Sequence, residues 1–347
     1  MLPPKIPSEW PRGRRVIALG LAGLGALFLV FGAGAARAPD EASAGARTAA
    51  EDLRPGGGID SLAPLPSWAP RDEAAGVRLS PHAMAVDPLG RLWLLDKARA
   101  RVLLLDGADG RGRSFSAAGR QRDAALSVSD LAVSGSFLFL LEPSAPSLIL
   151  VDLDGNLRER IDLSAAIEQA GDRGFLPARL LVGRSGDLWL LDARGFRILH
   201  FDRRGLFVDA PLDVIDGEDR PARVADVAPT RDDGILLLDP ERAGLIEIDP
   251  YGGLRAIQDL GEALREPASL AIDRDDNRYI LEAGGRLRIL DRAGVLLWTG
   301  ELPGAQGWSG PNRIAVAGDG ILHRGDSASG RIDRWRIVRT PREDAQR

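Results

Sequence analysis

A two-strand unit recurs six times along this chain, and it leaves few folds open. Clear copies are AMAVDPLGRLWLLD from Ala83 to Asp96, RLLVGRSGDLWLLD from Arg179 to Asp192 and SLAIDRDDNRYILE from Ser269 to Glu282. A second apolar run follows each of them: ARVLLLD, FRILHFD and RLRILD. An acidic residue closes the second strand of every copy, at Asp96, Glu142, Asp192, Asp239, Glu282 and Asp326, with spacings of 43 to 50 residues. The apolar runs are four to six residues long, rich in β-branched and aromatic side chains, and separated by turns such as Asp154-Gly155-Asn156 and Arg204-Gly205. That pattern describes strands and excludes helical repeats. A period of this length holds four short strands and their turns, which is one propeller blade. The chain is therefore expected to be all-β, a six-bladed β-propeller spanning 57–340. The 41 glycines and 23 prolines suit its many turns.

Each blade can be divided into strands a to d, counted outward from the axis. Strand a is the short Ala-rich stretch, as in Ala83 to Val86, whose small residues let six inner strands crowd together. Strands b and c are the apolar runs. Strand d is the more variable stretch, expected at Arg113 to Ser116, Leu157 to Leu163, Leu206 to Asp209, Leu254 to Gln258 and Val295 to Trp298. The closing acids read as hairpin fasteners, with arginine five positions on in Asp96–Arg101, Asp192–Arg197 and Asp326–Arg331, and four on in Glu282–Arg286. Blade six has no strand d of its own, because only a polar tail, 341–347, follows. A closed ring would take that strand from upstream, at Gly58 to Leu62 or Val77 to Leu79, and so protect an open edge.

These units resemble NHL-type repeats, within the broader TolB-like and SMP-30-like group of six-bladed propellers. Pro81, Ala85, Val86, Asp87, Gly90, Leu92, Leu94, Asp96, Arg101, Val102, Leu104, Asp106 and Gly110 match that repeat pattern, and Pro177, Pro267 and Pro311 recur ahead of later inner strands. The resemblance covers about 80–338. It implies the fold and says little of function, since one propeller scaffold serves many roles. Some proteins of this group are lyases or lactonases that use a metal at the channel mouth.

Residues 16–36, VIALGLAGLGALFLVFGAGAA, carry no charge over 21 positions. A helix of that length crosses about 30 Å of hydrocarbon. Arg12, Arg14 and Arg15 precede it, within a basic segment 1–15 of net +3. The positive flank is expected in the cytoplasm and the rest outside it, with the propeller on the periplasmic or extracellular side. Two readings stand: a retained single-pass anchor, favoured by the apolar length, or a signal peptide cleaved after Ala33-Gly34-Ala35 to release a secreted or periplasmic domain. Residues 37–56 read as a flexible tether.

The remaining composition narrows chemistry. Net charge is −5, so the body beyond the basic segment is at about −8, and no basic arm or aromatic platform suits nucleic acid. The chain has no cysteine, which removes disulfides and thiol catalysis. It has three histidines, His82, His200 and His323. The acidic stretches Asp232-Asp233-Gly234 and Asp273-Arg274-Asp275-Asp276-Asn277 lack the full calcium-loop pattern and read as a–b turns. Positions that begin inner strands must converge at one mouth of the channel. They make His82, Asp130, Arg179, Asp226, Asn312 and Arg313 the expected ligand-binding set, against the alternative of a rim held by its own hydrogen bonds. No resident cofactor or metal is expected from this set. No catalytic set is evident from spacing, so a non-catalytic module binding an envelope protein or small ligand is the expected function. A metal-assisted hydrolase or lyase at the mouth is the alternative.

Overall fold

The structure is a computed structural model, and it describes residues 58–72, 77–105, 112–116, 127–171, 174–213, 215, 219–261, 264, 267–303 and 312–339. Six four-stranded antiparallel sheets follow one another, and each is a blade. Their inner strands are Ala83–Val86, Asp130–Ser134, Pro177–Val182, Asp226–Pro229, Pro267–Ile272 and Asn312–Val316. Strand d lies at Gly112–Ser116, Leu157–Asp162, Phe207–Asp209, Leu254–Asp259 and Leu296–Glu301, within one to three residues of the sequence expectation. The stretches 16–36, 37–56 and 341–347 lie outside the described residues, as does the anchor or signal helix expected in the first of them. Among the described residues no helix is long and apolar enough to cross a membrane.

Alternation along strands b and c drives the assembly. Strand b of blade one, Leu92–Asp96, is buried at every position, so its two faces pack against different neighbours. Trp93, Leu95, Val102 and Leu104 meet blade two, whereas Leu92, Leu94, Leu103 and Leu105 meet blade six. Six apolar clusters result, one at each blade–blade seam. The core is thus a ring of seams. Strand d has one side in solvent, and Leu157–Asp162 shows it with a single buried position, Ile161.

The ring closes through Ile59–Trp68, which pairs antiparallel with Arg331–Arg339 as the outer strand of blade six. The shorter candidate, Val77–Arg78, instead pairs with Arg71–Asp72. Ile59 and Leu62 enter the seam between blades five and six, and Trp68 enters the seam between blades six and one. Pro64 and Pro66 lack an N–H, which an outermost strand tolerates and which discourages pairing with another chain. The Ser80 hydroxyl donates to the Ser327 carbonyl at 2.5 Å and Arg78 Nη1 to the Ser329 carbonyl at 3.2 Å, tying the linker before blade one to blade six.

Three of the closing acids hold backbone upstream of their own hairpin. Asp96 faces Arg101 across the hairpin, yet its carboxylate accepts from Arg99 Nη1 at 2.8 Å and from the backbone N–H of Ser80 at 3.0 Å. Asp192 accepts from Leu176 N–H and Asp239 from Ala222 N–H, both at 3.0 Å. Each of these three acids therefore clamps the linker entering its own blade. Glu282 takes Arg288 Nε at 2.6 Å, and Asp326 takes the Ser329 hydroxyl at 2.7 Å.

His323, in strand b of blade six, is 3% exposed, with its ring 5.7 Å from that of Trp68. Burial first, and then Arg334, push its pKa down to about 3. The folded protein keeps this ring neutral while the unfolded chain protonates it near pH 6.5, so stability is lost as pH falls from about 6.5 toward 3. His323→Leu is expected to flatten this part of the thermal-unfolding profile against pH; parallel curves for the two proteins would refute it. Closure makes a second prediction. Leu62→Ala should cost about 2–5 kcal/mol in denaturant unfolding, as at an interior core position, while exposed Ser61→Ala stays near zero. Equal effects would mean that the outer strand contributes no stability.

Candidate functional site

The linker clamps fix where each inner strand begins. The N–H of His82 donates to the Leu95 carbonyl at 2.8 Å, that of Ser129 to Leu141 at 2.8 Å and that of Ala225 to Leu238 at 2.9 Å. The next residue along then occupies one shared register position around the axis. Reading from blade one to blade six, this position holds Ala83, Asp130, Arg179, Asp226, Ser269 and Arg313.

Charge alternates around that ring, and the side chains meet. Arg179 Nη1 lies 3.2 Å from Asp130 Oδ1, and Arg179 Nη2 lies 2.9 Å from Asp226 Oδ1. Arg313 Nη1 reaches Asp226 Oδ2 at 3.3 Å. The Asp226 carboxylate also accepts from the Ser269 hydroxyl at 3.1 Å and from Leu270 N–H at 2.9 Å. Asp130 accepts from Leu180 N–H at 2.8 Å, and Ser269 Oγ accepts from Ile314 N–H at 3.2 Å. These three residues each hold the inner strand of the following blade. Four predicted site residues, Asp130, Arg179, Asp226 and Arg313, therefore form one network.

The electrostatics of the network are uneven. Burial opposes ionisation of Asp226, but Arg179, Arg313 and backbone N–H groups outweigh it and hold the carboxyl below its usual range. Burial likewise opposes the charge on Arg179, and Asp130 and Asp226 more than restore it. Arg313 differs. Burial first, and then Arg179, lower it against the pull of Asp226 and Asp130. It is the less compensated cation of the two, with 22% of its side chain exposed at the mouth.

His82 stands one residue before the ring position and is half-buried. Burial first, followed by Lys97 and Arg313, pushes its pKa below 6.5, with Asp130 opposing and Arg179 adding a smaller effect. The imidazole is thus neutral at pH 7 and sits within the field of this network. Asn312 begins the inner strand of blade six, opposite Asp326. Sequence reasoning missed Lys97, and it placed Ser269 at this mouth without counting it in the ligand-binding set. Lys97 opens the short 3-10 turn Lys97–Arg99 between strands b and c, and the up-down order of a blade puts that turn at the same end as the start of strand a. Ser269 shares the register of Asp130 and Asp226 and was recoverable from it.

The group resemblance implied a divalent ion at this mouth, and the donors do not fit one. Both carboxylates are engaged by guanidinium and backbone N–H groups, and among the described residues no three His, Asp or Glu side chains converge. His200 and His323 are buried away from the axis; the His200 ring stacks on Trp189 at 3.7 Å.

No protein-family profile matches the chain, and no curated protein matches it in sequence. The repeats therefore establish the six-bladed propeller but not membership of the NHL family. Among solved structures the chain is similar to a streptogramin B lyase, with a TM-score of 0.52 and 15% identity over 74% of this chain and 93% of that one. It is also similar to a catalytically inactive virginiamycin B lyase from Staphylococcus aureus with quinupristin, at 0.51 and 15% over 74% and 84%. A luciferin-regenerating enzyme matches at 0.52 and 12% over 74% and 91%. Identities this low establish the fold alone. The structures named here are of enzymes, so the expectation that the chain is more likely not an enzyme is withdrawn: the absence of a recognisable catalytic spacing carried no weight against catalysis on this scaffold.

Proposed function

We propose that the protein is an enzyme, a lyase or hydrolase that works at the mouth where the inner strands begin without routing its chemistry through a metal. What supports this reading is His82 at the mouth, half-buried one residue before the ring position, its pKa pushed down by burial and then by the charges of Lys97 and Arg313. A base needs a lone pair at working pH, and cations beside it stabilise the anion that forms when it takes a proton. Asp130 and Asp226 are committed to Arg179 and to backbone N–H groups, so they hold the site and leave His82 as its base.

Elimination suits a single base. His82 takes a proton from carbon next to a carbonyl or carboxylate, and the C–H electron pair becomes the new C=C bond. The bond to an oxygen leaving group breaks, and that oxygen recovers the proton from the imidazolium. Arg313 and Lys97 bear the charge that builds on the carbonyl or carboxylate oxygen. Hydrolysis uses the same residues with water as the proton source. A hydrophobic anchor over 16–36 would hold this activity at the outer membrane face.

The test is a panel of linear and cyclic esters, each with a carbonyl-activated C–H, assayed by ultraviolet absorbance of the new conjugated double bond and by acid release. His82→Gln should lower kcat by about 10²–10⁴-fold, and Arg313→Gln should lower kcat and kcat/KM together. The acid limb of kcat/KM should have its midpoint below 6.5, because that is the direction in which His82 is shifted. Turnover indifferent to His82→Gln, or an acid limb above that value, would sink the assignment.

A further inference from the structure

The opposite mouth carries a feature that the reading above does not use. The turns between strands a and b close there with one hydrogen-bond pattern in five blades. In it the strand-end N–H reaches the carbonyl four residues on, as in Asp87 to Arg91, Gly183 to Asp187, Thr230 to Gly234, Asp273 to Asn277 and Ala317 to Ile321. The residue after the strand end is Pro88 in blade one and Gly318 in blade six. In blades three, four and five it is Arg184, Arg231 and Arg274. Three consecutive blades thus present an exposed arginine at the same turn position. All three line a cavity of about 700 Å³ at this end of the channel.

Three of the four carboxylates lining this cavity are paired with arginines outside the arc. Asp87 takes Arg91 at 2.7 Å and the Trp93 indole N–H at 3.1 Å. Asp273 takes Arg339 at 2.7 Å and the Tyr279 hydroxyl at 2.9 Å. Asp276 takes Arg292 at 3.3 Å. Asp319 faces the arc from blade six and holds Ile321 N–H at 3.2 Å. Among the described residues, no guanidinium of the arc has an ion-pair partner.

The arc is also braced. Asp233 accepts from the backbone N–H of Arg184, and Asp276 accepts from that of Arg231 at 3.2 Å, so the turns of blades three and four are held by the next blade. Both acids have positive φ, 67° and 62°, at the turn position where blades one, three and six place Gly90, Gly186 and Gly320. A side chain there is unfavourable by about 1 kcal/mol, so two aspartates in place of glycine mark turns whose cross-blade bond is retained at a cost.

We propose that this mouth is a second binding site, for a small multivalent anion bearing phosphate or carboxylate groups, bridged by Arg184, Arg231 and Arg274. Guanidinium forks match both groups bidentately. The volume lies in the range of small-molecule pockets. The site is independent of the chemistry assigned to His82.

The test is titration calorimetry of the full chain in detergent micelles with pyrophosphate and, separately, citrate. Arg184→Gln, Arg231→Gln and Arg274→Gln should each weaken the better of these ligands by about tenfold or more. Lys97→Ala, at the other mouth, should leave it unchanged, and circular dichroism should show all variants folded. The stronger ligand of the two identifies the anionic group. Binding of neither ligand, binding unchanged in the triple variant, or capture by anionic vesicles without binding of either soluble anion would each overturn the proposal.

Discussion

Asp226 has no exposure and gathers donors from three other blades. Arg179 of blade three, Ser269 and Leu270 of blade five and Arg313 of blade six all converge on its two oxygens. A buried carboxylate persists only when its lost hydration is replaced, and removing one partner of such a pair typically costs about 3–5 kcal/mol. The geometry explains why charge sits here. Six inner strands point their first residues at one axis, where apolar side chains would either collide or leave a hole. Long guanidiniums bridge that space, and the carboxylates between them also take the N–H groups of Leu180 and Leu270 on following blades. One network therefore spaces the inner strands.

This dual use decides which residues can report on chemistry. Asp130 and Asp226 are scaffold in the strict sense, since changing either removes a bond between blades. His82 and Lys97 stand at the edge of the network, and Arg313 joins it from blade six through its single bond to Asp226. The polar mouth is thus two layers, an interior that is satisfied and an outer rim with a neutral base and spare positive charge. A rim of that kind is what a reacting ligand requires, while the interior keeps it from deforming.

Much of the fold was legible because the closing acids mark register without ambiguity. Their partners were not legible, because sequence offset selects neighbours along the hairpin. Asp96 does face Arg101, but its oxygens turn to Ser80 N–H, sixteen residues upstream. The missing strand of blade six showed that a donor was needed. Its extent was hidden because the buried residues Ile59, Leu62 and Trp68 break the period of two. Register shifts between Ile59 and Ser61 and between Leu65 and Trp68 account for that spacing. At the site, equivalence of strand starts found the four ring charges, while Lys97 required knowing which turns share an end.

The arginine arc escaped notice for a related reason. In sequence, Asp273-Arg274-Asp275-Asp276 reads as an acidic turn, and the same holds for Arg231-Asp232-Asp233. In space those acids are claimed from elsewhere. Arg339 takes Asp273 and Asp275 from more than sixty residues away, Arg292 takes Asp276 and Asp232, and Arg255 pairs with Asp232 and with Glu247 at the seam of blades four and five. Neutralisation by distant strands leaves Arg184, Arg231 and Arg274 as cations without an ion-pair partner among the described residues, beside Asp233 and Asp319, whose carboxylates take backbone N–H groups. The blade repeat sets the positions of all these turns, but the sign of each mouth is set by pairs that the repeat does not encode. Two ends of one symmetric scaffold thereby become chemically different.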